Sequence, residues 1–105
     1  MNQELLHQSA ARLKELLLHY ASENEDAQEL LKVLFVYIQR ALDGKILEPV
    51  AWNQILGGRM FEEGSLRDLP DLEAAYWSFK IEITGGESEE LRELRLRMLA
   101  EEEQK

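Results

Sequence analysis

Few residues in this chain of 105 have the types and spacing that chemistry needs. Glu15, His19 and Glu23 lie four apart, so a helix would bring two carboxylates and an imidazole to one face. Such a trio can hold a divalent cation. His7 falls about 120° round the same helix from His19, so it adds no fourth ligand, and a solvated helix end is the better reading. The hydroxyls available as nucleophiles belong to Ser9, Ser22, Ser65, Ser78, Ser88 and Thr84. None of the serines lies in a Gly-x-Ser-x-Gly elbow, and neither histidine has a third partner in sequence to complete a triad. Glu62-Glu63 has the chemistry for acid–base work but reads as a solvated pair in a polar turn. Gly57-Gly58-Arg59 lacks both the Gly-Lys-Ser/Thr ending and the preceding strand of a phosphate loop, and reads as a helix stop. Arg92, Arg95 and Arg97 alternate with Glu89, Glu90 and Glu93, which makes a mixed face and not a nucleic-acid patch. The expectation is no catalytic residue, no metal, no cofactor and no enzyme activity.

Composition narrows the field further. The absence of cysteine excludes disulfides, thiolate metal sites and cysteine nucleophiles. Twelve basic and 21 acidic side chains leave a net charge of −9. That field repels phosphate backbones and anionic lipid and draws in a basic partner, while also serving solubility. An apolar content of 45% suits a folded chain, and the length suits one helical domain over residues 1–105. No basic segment or small-residue cleavage site marks the start, so the expected compartment is the cytoplasm.

The elements that must position any site follow from periodicity. Leu6, Ala10, Leu13 and Leu17 form a core-facing stripe in a first helix over about residues 2–20. A polar turn at residues 22–26 offers Ser22, Asn24 and Asp26 as alternative caps for the next helix. That next segment, residues 26–44, is the expected centre of the fold. From Leu30 to Ile38 only Lys32 interrupts an apolar run, and a helix apolar nearly all the way round belongs in the middle. Gly44 can end it in the left-handed conformation, and the short turn before it predicts an antiparallel hairpin with the first helix. Pro49 predicts a short third helix carrying Val50, Trp52, Ile55 and Leu56, with Trp52 in the core. Met60 and Phe61 are the expected anchors of the irregular stretch after it. Ser88 caps a last helix with a Leu91, Leu94, Met98 stripe, and residues 101–105 should fray at its negative end.

Residues 68–84 carry the main ambiguity. Trp77, Phe79, Ile81 and Ile83 alternate with polar residues, as in a strand. Leu72, Ala75, Tyr76, Phe79 and Ile83 also form a helical stripe after Pro70. The absence of a second convincing strand favours the helix, because a lone strand leaves its backbone groups unsatisfied. The fold expected is therefore all-α, a bundle of four or five helices. The alternative is an α+β chain whose one strand, from Trp77 to Thr84, pairs with another molecule. In the helical register Ala74, Trp77 and Ile81 fall opposite Leu72, Phe79 and Ile83, which makes them the candidate interaction residues.

The leading functional expectation is a non-enzymatic interaction or regulatory domain that binds a basic partner protein, or itself, through the Trp77 face. It is not expected to bind nucleic acid or membrane. One alternative is a small-molecule-binding or enzymatic domain with a pocket between helices. Another is an acidic inhibitor or carrier of a basic protein: immunity-like, chaperone-like or nucleic-acid-mimicking. That last analogy rests on size and charge, with no motif behind it.

Overall fold

The computed structural model describes residues 2–62 and 64–85. The expected last helix and the frayed end lie outside these residues. Among the described residues the chain is all-α. The elements are α1 (Gln3–Ala21), α2 (Glu25–Leu42), a 3-10 turn (Trp52–Gln54), α3 (Gly58–Glu62), a second 3-10 turn (Ser65–Asp68) and α4 (Pro70–Ile83). No helix among them is long and apolar enough to cross a membrane.

Side chains set the helix starts. Asn2 opens α1 by accepting from the Leu5 amide. Of the three cap candidates in the turn that follows, Asn24 does the work: its side-chain oxygen accepts from the amides of Asp26, at 2.8 Å, and Ala27, at 3.1 Å. Ser22 instead turns back to donate to the His19 carbonyl. Gln28 reaches across the corner to donate to the Ala21 carbonyl, and α1 and α2 pack along their length as a hairpin. Gly44, at φ +70°, ends α2 in the conformation that glycine adopts without cost.

The centre of the fold is α1, not α2. Leu6, Ala10, Leu13, Leu16 and Leu17 are all buried, and α1 is the helix with extensive contacts to both α2 and α4. The apolar run in α2 is only partly enclosed. Its stripe of Ala27, Leu30, Leu34, Ile38 and Ala41 is buried, whereas Phe35 and Val36 are exposed. Eight neighbouring apolar residues span the full circumference of a helix, and packing against α1 and the 65–68 turn covers one side of it.

The expected third helix shrinks to one 3-10 turn. Residues 45–51 run without helix, and their backbone finds other partners. Gln3 donates its side-chain amide to the Ile46 carbonyl at 2.8 Å. The Val50 amide donates to the Ile83 carbonyl at the end of α4 at 2.9 Å. A helix this short is not self-sustaining, and these tertiary bonds outweigh the local preference. Gly57 then takes φ +107°, and a Cβ there would collide with the Leu30 side chain. The chain so turned buries Ile55 and Phe61, while Met60 packs partly buried beside them.

The ambiguous segment is helix α4, so the strand alternative is overturned. Leu72, Ala75, Tyr76, Phe79 and Ile83 enter the core, as a period of 3.6 requires. In a strand Trp77 and Ile81 would share a face with Phe79 and Ile83. In the helix they separate: Phe79 and Ile83 are fully buried, and Trp77 and Ile81 are half-buried. Pro70 at the first helical position and the acids Asp71 and Glu73 in the first turn favour the helix start.

Candidate interaction site

The spacing of α4 brings three side chains of the candidate site together. Tyr76 and Trp77 precede Lys80 by four and three residues, so all three are neighbours on the helix surface. Tyr76 points inward. Its hydroxyl donates to the carbonyls of Leu56, at 2.9 Å, and Ile55, at 3.3 Å, and its ring lies 5.1 Å from that of Phe61. These bonds tie the residues after the first 3-10 turn to α4. Burial pushes the Tyr76 hydroxyl pKa up to about 12, and a hydrogen bond from the Gly58 backbone opposes part of that shift.

Trp77 lies over the edge of this cluster. Its ring meets Tyr76 edge-on at 5.2 Å and stacks on Trp52 at 6.2 Å with 24° between the planes. The sequence reading put Trp52 in the core. It is instead a surface residue, 47% exposed, and Leu56, four positions on, is 57% exposed. Helix periodicity failed here because the segment carrying Trp52 is not a helix, and its stacking partner is 25 positions away in sequence. The stacked indoles, Trp52 exposed and Trp77 half-buried, thus form a partly exposed apolar patch where the segment carrying Trp52 meets α4.

Lys80 completes the cluster and was not singled out by the sequence reading. The residue is only 7% exposed. The Nζ atom lies 4.3 Å from the centre of the Trp52 ring, 5.3 Å from that of Trp77 and 5.9 Å from that of Tyr76. Desolvation lowers the pKa of its ammonium. The ring faces act in the other direction, since each attracts a cation by about 0.5–2 kcal/mol. The aromatic pair three and four residues before a lysine was a visible signal, although the Trp52 ring was not.

The other candidates disperse. Ala74 is exposed and lines a groove of about 530 Å³ between α1 and α4, with Leu5, Ser9 and Arg12 on the opposite wall. Ile81 is half-buried between the two sites. Ala74, Trp77 and Ile81 therefore share the outward side of α4 but border different features. Tyr20 donates to both carboxylate oxygens of Asp71, at 2.9 and 3.0 Å, and closes one end of the α1–α4 contact. That hydrogen bond is the main cause raising the Tyr20 pKa. Glu15, His19 and Glu23 are all exposed: Arg12 sits 3.7 Å from Glu15, and His19 stacks edgewise on Tyr20 at 5.0 Å. Among the described residues no three His, Asp or Glu side chains gather in a way that could hold a metal ion.

Comparisons of the chain with protein-family models, with curated proteins and with solved structures found no match.

Proposed function

We propose that this chain is a non-enzymatic interaction domain that docks a basic partner protein on the Trp52–Trp77 patch. The observation that carries this reading is the stacked indole pair, one ring of it 47% exposed, on the outward side of α4. Tryptophans dominate the energetics of interfaces, because a large rigid ring loses little entropy when it is covered. Here the Trp77 ring is already held by Trp52 and Tyr76, so little ordering is left for binding. The net charge of −9 favours a basic partner over a second copy, which would bring its own −9. Charge of that kind acts chiefly on the rate of encounter, and the apolar anchor on residence time.

The test compares the chain with Trp52→Asp and Trp77→Asp variants, each checked for folding by circular dichroism. Light scattering after size exclusion should give a monomer. Proteins retained by the parent chain at low salt should be basic, and they should be lost from both variants. A folded variant that retains the same proteins with the same strength would overturn the reading. A parent that dimerises through the patch would replace the basic partner with a second copy.

A further inference from the structure

Lys80 presents an unusual balance. A lysine only 7% exposed as a residue normally brings its charge to a carboxylate. Among the described residues no carboxylate pairs with this ammonium. An ammonium has three N–H donors, and ring faces offer charge attraction without a lone-pair acceptor. Beside it opens a cavity of about 420 Å³. Arg59 supplies a second cation to the wall, Asn53 an amide, and Leu56 and Met60 apolar surface, with the Gly57–Gly58 backbone between them. Lys80 and Arg59 thus both line a pocket in a chain whose overall charge is strongly negative.

We infer that this cavity binds a small carboxylate with an apolar body. The carboxylate supplies the acceptor that the buried Lys80 lacks among the described residues and a counter-charge for Arg59, and the body lies against Leu56 and Met60. A carboxylate has two oxygens, so it can accept from both an ammonium and a guanidinium, and the apolar wall suits a hydrocarbon or aryl group. An inorganic phosphate dianion gains nothing from that wall and, with twice the charge of a carboxylate, meets twice the repulsion of the whole chain. The inference stands apart from the docking of a protein on the indole pair. Lys80→Met removes the charge and leaves both tryptophans in place, so the two can fail separately.

Trp52 and Trp77 are the only tryptophans, and their ring centres lie 4.3 and 5.3 Å from the Lys80 ammonium, so the intrinsic fluorescence of the full chain reports on that ammonium. The titrants are phenylacetate and isovalerate, with phenylacetamide as the uncharged isostere and inorganic phosphate as the bare anion. At least one of the two carboxylates should give a saturable change. The amide should bind about tenfold more weakly or worse, and phosphate should give no change. Lys80→Met should bring the acid down to the level of the amide, and Arg59→Gln should weaken it several-fold. Equal binding of acid and amide, binding of phosphate as tight as that of the carboxylates, or no saturable change with either carboxylate overturns the proposal. Should Lys80→Met not fold, Arg59→Gln and the comparison of acid with amide decide it.

Discussion

Tyr76 and Lys80 are adjacent on α4, and burial moves their pKa values in opposite directions. The Tyr76 pKa is raised from its ordinary 10.0 to about 12, so the unfolded chain loses this proton first. The stability it contributes is complete below pH 10 and is lost as pH rises through about 12. The Lys80 pKa is lowered from 10.5, so the cost of its buried charge is present at neutral pH and is relieved as pH rises towards 10.5. Replacing Tyr76 by Phe separates the two effects. At pH 7 the variant should be about 1–2 kcal/mol less stable, because the Ile55 and Leu56 carbonyls lose their donor. Between pH 10 and 12 the gap should narrow, since the variant has no phenol to ionise. Urea denaturation at a series of pH values measures both. A gap that stays constant to pH 12 would show that the hydroxyl is not held as described. Trp52 shows what residue-level reading missed: a large ring in an apolar cluster is usually core, but this one covers Lys80 and leaves half its surface in water.

The elements were legible where one helix face repeats over several turns. α1, α2 and α4 follow stripes of at least four apolar positions, and their starts at Asn2, Asn24 and Pro70 carry local signals. The segment between α2 and α4 was not legible, because its conformation is decided by what it touches. Gly44 and Gly57 mark the contrast. Both have positive φ, but a Cβ at Gly44 would meet nothing within 4 Å, whereas one at Gly57 would strike Leu30. Gly44→Ala should cost about 1 kcal/mol, for backbone strain alone. Gly57→Ala should cost more, about 2–4 kcal/mol, because Leu30 in the core must also move. Thermal denaturation of the two variants ranks them, and equal costs would mean that Leu30 yields freely.

For the whole molecule the governing quantities are charge and the layout of apolar surface. With a net charge of −9 the folded chain repels itself, and added salt screens that repulsion. Raising NaCl from low salt to roughly 0.5 M, where the screening length is under about 5 Å, should raise the denaturation midpoint. An uncharged osmolyte of equal osmolality controls for general exclusion effects. No shift beyond that control would mean that the carboxylates are already paired or spread too far apart to matter. Among the described residues, large apolar side chains are left exposed at several places: Trp52 and Leu56 before α4, Phe35 and Val36 on α2, Leu5 and Leu18 on α1, and Leu47. Only the first combines stacked aromatic rings with a buried cation.

The amino-acid order by itself determined the first two helices, and it favoured a helix with a buried face and an outward one for residues 70–83 while leaving a strand open there. Each of these follows from periodicity within one segment, where neighbours in space are three or four apart in the chain. Tertiary structure alone decided that α1 is the central helix, that residues 45–56 form a strap with a single helical turn, and that Trp52 comes to rest on Trp77 and Lys80. Those outcomes depend on contacts between segments tens of residues apart. Pairings at that distance are chosen by the shape and hydrogen-bonding needs of the assembled core, which no local pattern encodes.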